Sequence, residues 1–269
     1  MPQKVPIKTA NKESGIKRLW LHRHVVPALI KEEYQSSYSQ TRLRTIWGLL
    51  QAGLFAFTYS FFFGYLLNWQ TGNLPFPVYV LSGLLGWSWI SSSLSNSIFS
   101  LFSTQQTLQS FPFPRFLLPI SRTLFRGTEA LYHLFWLAIV MAYYRISPSW
   151  QLLYLPLVAG FTLLSALTPA VWILIGTRRN RDLLHALPVI TQLGLWMTPV
   201  FFQIDIFPES LRPIIEANPW SSCVDMWRWA ILGSGTAKWI WGIHTLILTS
   251  LLTLGIRRFE RHETEYAES

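Results

Sequence analysis

The fold is decided by residues 75–126, which read PFPVYVLSGLLGWSWISSSLSNSIFSLFSTQQTLQSFPFPRFLLPISRTLFR. An apolar run begins at Phe76, and with its serine-rich continuation it reaches the length that crosses a bilayer, about 20 residues. A polar bend with two prolines follows at Thr104–Arg115, and a second apolar run starts near Leu117. Two spans joined by a short basic bend are typical of a membrane protein that presents a contact surface to the cytoplasm. We therefore interpret the bend as the place where a partner protein applies force.

The composition is typical of an integral membrane protein. Hydrophobic residues make up 51% of the chain and charged residues only 13%, whereas a soluble domain carries roughly 25% charged residues. Several apolar stretches reach about 18–25 residues, the length of a membrane-spanning helix. We therefore expect an all-α integral membrane protein with several spans, built as a single membrane domain and surrounded by lipid.

The net charge of +9 is distributed as in a membrane protein and not as in a protein that binds nucleic acid. Nine of the 22 Lys and Arg residues precede the first predicted span, and others cluster at 178–181 and 257–261, beside hydrophobic ends. Basic clusters at alternate span ends mark the cytoplasmic side of a membrane protein. The pattern predicts a multi-pass protein with both termini in the cytoplasm and no nucleic-acid partner.

The chain divides into two tails and one membrane domain. Residues 1–15 are polar and are predicted to form a disordered tail, and residues 259–269 a cytoplasmic tail. Residues 16–40 mix apolar and basic side chains, which predicts an amphipathic helix in the membrane interface. A soluble helix packed on a partner is the alternative. The single domain at 16–258 adds six predicted spans, at 46–67, 76–102, 117–144, 152–175, 187–202 and 239–256.

The segment before the last span, residues 203–238, is too polar to cross the bilayer and contains three prolines. Two short semi-apolar helices are predicted within it, at about Leu211–Glu216 and Ser221–Leu232. We expect a helical hairpin that re-enters the membrane partway from the outside, because broken backbone at depth is tolerated where protein or water covers it. A hairpin that lies on the membrane surface is the alternative.

Motifs of catalysis and nucleotide binding are missing from the sequence. It contains no G-x-x-x-x-G-K-[ST] loop, no H-E-x-x-H and no G-x-S-x-G. Its six histidines are scattered, and its single cysteine cannot form a paired metal-ligand motif. We therefore expect neither an enzyme activity nor a metal or cofactor bound by this chain.

Four titratable residues follow one face of the third predicted span. Their spacing of i, i+4, i+7 and i+11 places them on the same side of a helix. They are Arg122, Arg126, Glu129 and His133. Pairing of Glu129 with Arg126 and with His133 can offset the cost of charge near lipid. One interpretation is a polar stripe at the cytoplasmic mouth that meets an anionic substrate or a neighbouring subunit, and the other is a structural ion-pair cluster at the membrane edge.

Aromatic residues make up 16% of the chain and include 14 Trp, which is more than two interfacial belts require. Aromatic faces can stack on sugar rings without forming a tight pocket, so that a polymer can slide past them. Lipid-facing belts and ordinary packing account for most of these residues. The candidates for an aromatic-lined conduit are Phe55, Tyr59, Phe62, Tyr65, Trp196, Phe201 and Phe202.

Five short patterns in the chain resemble those of one transporter family. The first precedes the first span and consists of Glu33, Tyr38, Thr41, Leu43 and Trp47, with Arg44 in place of the family's usual Gly. The others are Leu81-x-Gly83-Leu84-x2-Trp87, Phe113-Pro114-Arg115-x3-Pro119, Arg181-Asp182 with Pro188 and Thr198-Pro199-Val200, and Asn218-Pro219 with Arg228 and Gly233. Over about residues 16–258 the chain resembles the membrane subunit of ABC-type polysaccharide exporters, which move O-antigen, teichoic acid or capsule.

This resemblance implies a homodimer of the chain docked on two copies of a separate ATPase subunit, in the cytoplasmic (inner) membrane of a bacterium. The partner would bind ATP and Mg, and would move the interface helix and the bend to open a conduit for a lipid-linked polysaccharide. The residues implied in this coupling are Glu33, Tyr38, Gln105, Gln106, Thr107, Leu108, Phe113, Pro114 and Arg115. Those implied in the outer re-entrant region are Asn218, Pro219, Trp220 and Arg228.

Three other functions are alternatives on the sequence alone. An exporter of drugs or lipids from the same superfamily shares the six-span plan but lacks some of the five patterns. A secondary transporter or channel is opposed by the lack of a half-chain repeat and of an acidic residue at mid-span. A membrane-bound acyl- or glycosyltransferase is opposed by the missing catalytic motifs.

Overall fold

The computed structural model describes residues 21–38, 45–69, 71–103, 114–177 and 180–261, and these residues form helices with no β-strand among them. The helices are α1 (Val25–Tyr38), α2 (Thr45–Tyr59), α3 (Phe76–Ser103), α4 (Leu117–Tyr143), α5 (Leu155–Thr177), α6 (Leu183–Trp196), α7 (Arg212–Glu216), α8 (Pro219–Leu232) and α9 (Trp239–Arg261). A π-helical stretch at Ser60–Leu66 extends α2, and short 3₁₀ helices occupy Trp150–Tyr154 and Ile204–Ile206. The predicted all-α fold is confirmed.

The predicted tail at 1–15 lies outside the described residues, as does most of the tail at 259–269. Of the predicted interface helix at 16–40, the described part is α1.

Three of the described helical segments are long and apolar enough to cross a membrane. They are Ile46–Leu66, Trp150–Thr177 and Trp239–Phe259. The helices α3 and α4 have 28 and 27 residues and match the second and third predicted spans in length. They are less apolar than these three segments, because α3 is rich in serine and α4 carries charged residues in its first half.

The fifth predicted span ends earlier than expected. Helix α6 has 14 residues and stops at Trp196, whereas the prediction continued to Phe202. The helix stops because Thr198 precedes Pro199, and the residue before a proline disfavours the helical conformation. Residues 197–202 form a turn instead. The helical part of the predicted span therefore ends at Trp196, and its last six residues are not helical.

Helix α3 is the centre of the bundle. It packs against α4, α5 and α8, and also touches α2 and α6. Its apolar side chains are fully buried at intervals along most of the helix, from Val78 to Ile98. Helix α4 runs antiparallel to it, since Ser97 Oγ bonds the carbonyl of Pro119 at 3.2 Å and Ser88 Oγ lies 3.3 Å from Nδ1 of His133. The two apolar runs of residues 75–126 thus form the central pair of helices.

One end of the bundle, here named the basic end, collects α1 and the ends of α5 and α9. Helices α5 and α9 run parallel, and Trp172 Nε1 donates to the carbonyl of Leu251 at 3.1 Å. The ring of Phe259, near the end of α9, lies 5.8 Å from that of Phe116 at the start of α4. Leu29 of α1 packs against the same cluster. The described basic residues beside these positions, which are Arg181, Arg257, Arg258 and Arg261, therefore share one end of the molecule.

The opposite end, here named the loop end, is formed by the connections predicted to face outward. The amide of Ser149, after α4, donates to the carbonyl of Ile231 near the end of α8 at 2.9 Å. Gly72, between α2 and α3, lies against the side-chain amide of Gln203, which follows α6. The three connections therefore meet at one end, as the alternation of the predicted spans requires.

Helix α8 begins halfway along the bundle. At its start, Trp220 Nε1 donates to the carbonyl of Ser165 at 3.1 Å, near the middle of α5. The same indole packs edge-on against Trp87 of α3, with ring centroids 5.7 Å apart. Since Gln203 and Ile231 both lie at the loop end, the chain between them runs into the bundle and returns.

Candidate functional site

Two arginines of α4 bind helix α1 through buried charge. Arg122 forms a close ion pair with Glu33 and a second ion pair with Glu32 at 3.5 Å. Nη2 of Arg126 lies 3.1 Å from the same Glu33 carboxylate. Glu33 is thus shared between two guanidinium groups on successive turns of α4. Charge pairing therefore joins α1 to α4.

The network continues from Arg126 into the bundle. Arg126 donates to Asn96 Oδ1 of α3 at 2.9 Å and lies 3.3 Å from the Glu129 carboxylate, so the predicted Arg126–Glu129 pair is confirmed. The predicted pairing of Glu129 with His133 through side chains is wrong. Nδ1 of His133 lies 2.9 Å from the backbone carbonyl of Glu129 and 3.3 Å from Ser88 Oγ. The Glu129 carboxylate instead contacts Arg126. His133 reaches the carbonyl of Glu129 because a helical side chain points back towards the carbonyl four residues earlier.

These groups form one network of three carboxylates and two guanidinium groups. Removing one partner of a buried ion pair costs about 3–5 kcal/mol, because the remaining charge is left without compensation. The network therefore fixes α1 relative to the first half of α4. Such an arrangement can link a movement of α1 to a movement of α4.

The reasoning from sequence did not identify the partners that α3 supplies. A signal was available, because Ser88, Ser92 and Asn96 are spaced i, i+4 and i+8 and so share one helix face. The contact between Glu33 and Arg126 had no comparable signal. These residues are 93 positions apart, and no local pattern links them.

The predicted coupling bend is described only where it enters α4. Outside the described residues lie Gln105, Gln106, Thr107, Leu108 and Phe113. Pro114 is buried and Arg115 half-buried, and the carbonyl of Pro114 accepts a bond from the amide of Leu117 at 3.0 Å. Tyr38 is the last residue of α1. Arg115 and the partners of Glu33 thus lie on or beside the first turns of α4.

A second buried cation lies at the break after α6. Arg228 of α8 donates to the carbonyls of Pro199 at 2.5 Å and Val200 at 2.8 Å. It also donates to the carbonyl of Tyr79 at 3.3 Å, and its guanidinium lies 3.6 Å from the centroid of that ring. The bonds to Pro199 and Val200 satisfy carbonyls that the broken segment leaves without helical partners. A Cβ at Gly83 would lie 2.7 Å from Nη2 of Arg228, so glycine leaves the room for this approach.

The other predicted outer residues begin α8. The side chain of Asn218 accepts a bond from the amide of Trp220 at 3.0 Å, which caps the helix. Pro219 occupies the first helical position, where its missing N–H costs no helical bond. The structure therefore brings three of these residues to the start of α8 and Arg228 to its last turns.

Of the seven predicted conduit aromatics, Tyr59 is half-buried and the other six fall into two groups, of which the first is buried. Phe201 is only 2% exposed, and Phe202 is also buried. The ring of Phe201 packs against Tyr59 at 4.4 Å and against Phe63 at 5.9 Å, measured between ring centroids. The packing of this chain encloses Phe201 and Phe202, so they line no open surface of the single chain.

The second group is exposed and consists of Phe55, Phe62, Tyr65 and Trp196. The first three lie on α2 and its π-helical extension, beside the equally exposed Phe57 and Phe61. We name the surface formed by these five residues of 55–65 the α2 aromatic surface. Contiguous apolar surface of this kind marks contact with lipid or with another protein.

Comparison with known proteins adds a second line of evidence. No family model matches the chain. It is 26% identical over 245 residues to the O-antigen export system permease protein RfbA of Klebsiella pneumoniae, covering 89% of this chain and 92% of that protein. It is 24% identical over 215 residues to a Myxococcus xanthus protein of the same name (79% and 82%). It is 23% identical over 241 residues to the polysialic acid transport protein KpsM of Escherichia coli (86% and 90%).

The helical architecture and these relatives together indicate which class of protein the chain resembles. The chain is similar along most of its length to proteins named as permeases of O-antigen export and as polysialic acid transport proteins. The resemblance to the membrane subunits of polysaccharide exporters, predicted from the five patterns, is confirmed.

Proposed function

We propose that this chain is the membrane-spanning subunit of an ATP-driven ABC exporter that moves a lipid-linked polysaccharide across the cytoplasmic membrane of a bacterium. The observation that carries the proposal is its similarity to O-antigen export permeases and to a polysialic acid transport protein over 79–89% of its length. The polysaccharide is of the O-antigen, teichoic acid or capsule type.

The chain crosses the membrane six times in this proposal. The spans are α2 with its extension, α3, α4, α5, α6 with the turn that follows it, and α9. The basic end faces the cytoplasm, because Lys and Arg accumulate on that side of membrane proteins. Helix α6 measures about 21 Å at 1.5 Å per residue, less than the roughly 30 Å of the hydrocarbon core. Residues 197–202 complete the crossing, and Arg228 satisfies the carbonyls of Pro199 and Val200 as burial in a membrane requires.

Residues 203–238 form the outer re-entrant hairpin. The position of Trp220 beside Ser165, midway along α5, supports this assignment. Helix α1 lies in the cytoplasmic interface, where Glu33 and Glu32 face the arginines of α4 and the exposed side of the helix contacts a partner.

The motor is a separate ATPase, two copies of which bind the basic end and carry ATP and Mg²⁺. The ATPase contacts α1 and the bend before Pro114. Because Glu33 is paired with both Arg122 and Arg126, a displacement of α1 pulls on the first half of α4. Helix α4 packs along α3, so the movement reaches the centre of the bundle. The ATPase shifts the conformational equilibrium only through contacts that differ between the two states.

The conduit lies between two copies of the chain. The α2 aromatic surface supplies flat rings that hold sugar faces and let a polymer slide. The charge network at the basic end couples α1 to α4 and does not bind the substrate, since each of its guanidinium groups already has a carboxylate partner.

The test is reconstitution with and without the ATPase subunit of the same export system. The two proteins are expressed in a host that lacks its own exporter, and surface polysaccharide and ATP hydrolysis are measured. We expect the purified chain alone to hydrolyse no ATP, the ATPase to co-purify with it, and surface polysaccharide to return only when both are present. Export by the chain alone contradicts the proposal, as does failure of the pair to restore polysaccharide.

A further inference from the structure

Two glutamine side chains lie on the surface of the proposed spans. Gln51 belongs to α2 and Gln192 to α6, and both are exposed. Neither amide makes a hydrogen bond within the part of the chain that the structure describes. A glutamine amide can donate two hydrogen bonds and accept two, so this capacity is left for another molecule.

Gln51 lies near the middle of the bundle. Gly48, three positions earlier on α2, lies against the ring of Tyr132. The neighbour of Tyr132 in α4 is His133, whose Nδ1 lies 3.3 Å from Oγ of Ser88. Ser88 is close to the midpoint of α3, so Gln51 lies close to the same level.

Gln192 reaches a similar level from α6. Gly194, two positions later, lies against the indole of Trp220. This indole donates to the carbonyl of Ser165 near the middle of α5. In the proposed spans, this level corresponds to the hydrocarbon core, where lipid tails offer no hydrogen-bond partner and an unpaired amide is unfavourable. Lipid is therefore a poor covering for either glutamine.

Each glutamine is followed by an aromatic ring one turn later. Phe55 comes four positions after Gln51, and its ring is exposed on the same helix face. Trp196 comes four positions after Gln192 and is exposed in the same way. Helices α2 and α6 both run from the basic end towards the loop end, so the ring lies on the outer side of the amide in both. We name Gln51 with Phe55 and Gln192 with Trp196 the glutamine pairs.

A row of rings joins the two glutamine pairs. Between ring centroids, Phe55 lies 6.3 Å from Tyr59, which lies 4.4 Å from Phe201. Phe201 in turn lies 5.7 Å from Trp196. The two pairs therefore border one continuous surface of the chain.

Helix α2 is apolar on the adjoining exposed side. Leu50 and Leu54 each come one position before a member of the Gln51 pair, about 100° away around the helix, and both are exposed. Polar groups on one side and leucines on the next are expected of a helix that borders both a hydrated conduit and lipid. Closely packed membrane helices instead meet through small residues, whereas large rings lie beside both amides. Direct packing of a second copy on this surface is therefore disfavoured.

An amide beside an aromatic ring suits a sugar. The ring covers the apolar C–H face of the sugar, and the amide meets hydroxyl groups at its edge. Neither pair carries a charge, so hydroxyl groups match the pairs better than carboxylates or phosphates, which form their strongest bonds with charged partners.

We propose that the glutamine pairs are two sugar-binding sites on the conduit wall, where the amides hydrogen-bond hydroxyl groups of the polysaccharide as it passes. This inference rests on the proposed function and adds the polar residues that contact the substrate.

The first test asks whether water reaches the two glutamines. Gln51→Cys and Gln192→Cys are made in the full complex with its ATPase, in membranes supplied with ATP. They are treated with the lipid-insoluble reagent sulfonatoethyl methanethiosulfonate, and we expect both thiols to be labelled. Leu50→Cys, beside Gln51, and Leu246→Cys, on the exposed side of α9, are the controls and should stay unlabelled. If the two glutamine positions stay as unlabelled as the controls, no hydrated conduit passes them and the proposal is overturned.

The second test measures contact with sugar. Gln51→Leu and Gln192→Leu keep the approximate size of the side chain and remove the amide, whereas Gln51→Asn and Gln192→Asn keep an amide. The probes are short oligosaccharides released by mild acid from the surface polysaccharide of the native host. Their binding to the complex in lipid nanodiscs is followed by saturation-transfer NMR. In each leucine variant we expect the affinity to fall about tenfold, the effect of one lost hydrogen bond.

Surface polysaccharide per unit of inserted protein should fall in the leucine variants, and the asparagine variants should retain more of both binding and export. ATP hydrolysis and the thermal unfolding midpoint should match those of the wild type, because the two amides bond no described residue of their own chain.

Two further results would overturn the glutamine pairs. One is unchanged oligosaccharide binding and export in both leucine variants. The other is a disulfide between two copies through either cysteine variant, together with dissociation of the two copies in the matching leucine variant, because the amides would then pair across an interface. A wild-type chain that exports while the leucine variants bind and export normally removes the glutamine pairs alone. A wild-type chain that restores no export with its ATPase removes the proposed function.

Discussion

Arg126 and Glu33 form an ion pair of 3.1 Å although they are 93 positions apart in the chain. This contact joins α1, the helix before the first predicted span, to one of the two central helices. Arg122 binds the same carboxylate, so a single acidic side chain holds two guanidinium groups. The function of α1 can therefore be tested at one residue.

Glu33→Gln keeps the shape of the side chain and removes its charge. We expect the free energy of unfolding of the complex to fall by about 3 kcal/mol, because both arginines lose a buried partner. ATP hydrolysis should continue while export per ATP falls, since α1 no longer moves α4. Thermal unfolding, ATP hydrolysis and surface polysaccharide are measured on the same preparations.

Lys31→Gln is the matched control, because it removes an exposed charge from the same helix. Its effect on stability should stay within about 0.5 kcal/mol, as for ordinary surface substitutions. If Glu33→Gln and Lys31→Gln behave alike, the ion pairs do not couple α1 to α4.

Gly83→Ala tests the packing of Arg228 against the break after α6. The new Cβ would lie 2.7 Å from Nη2 of Arg228 and 3.0 Å from the carbonyl of Val200. We expect a loss of stability of about 1–3 kcal/mol, typical of overpacking, measured as a lower unfolding midpoint in detergent. Gly242→Ala is the control, because apart from its chain neighbours and its own helix backbone no atom lies within 4 Å of its Cβ position. It should be neutral or stabilising, since alanine favours a helix over glycine by up to about 1 kcal/mol. Equal midpoints for both variants would contradict the packing argument.

The fold was predictable where one segment determines its own structure. Helices α3 and α4 end within one residue of the predicted second and third spans, because apolar length and flanking prolines are local features. The end of α6 was not predictable in this way. The turn after Trp196 is held by Arg228, which follows Pro199 by 29 positions.

In the candidate site, too, local contacts could be predicted and contacts between distant segments could not. The pair of Arg126 and Glu129 is three positions apart on one helix, and its spacing predicted it. Glu33 was implied in coupling to the ATPase, but its contacts with α4 join distant segments and required the three-dimensional structure. The burial of Phe201 also depends on tertiary packing, which composition does not report.

The proposed sidedness can be tested by cysteine labelling without removing the native thiol. Cys223 is fully buried, and burial raises the pKa of its thiol to about 12, so it carries little of the reactive thiolate. Ser210→Cys, at the loop end, and Gln35→Cys, on α1, introduce thiols at exposed positions. In intact spheroplasts, a membrane-impermeant maleimide should label Ser210→Cys only, and Gln35→Cys should react after lysis. The parent protein should stay unlabelled throughout, and the reverse pattern for the two variants would overturn the topology.

The α2 aromatic surface is tested by comparing exposed and buried aromatic residues. Tyr65 is 77% exposed, so Tyr65→Ala should change stability by no more than about 0.5 kcal/mol while it reduces export per unit of protein. Phe201→Ala should instead lower the free energy of unfolding by about 3–5 kcal/mol, because it leaves a cavity. The yield of folded protein should fall with it. Tyr65→Phe keeps the ring face and should keep export. Export and membrane-inserted protein are quantified in the same cells. If Tyr65→Ala exports at the wild-type rate per unit of protein, this surface contacts lipid and does not line the conduit.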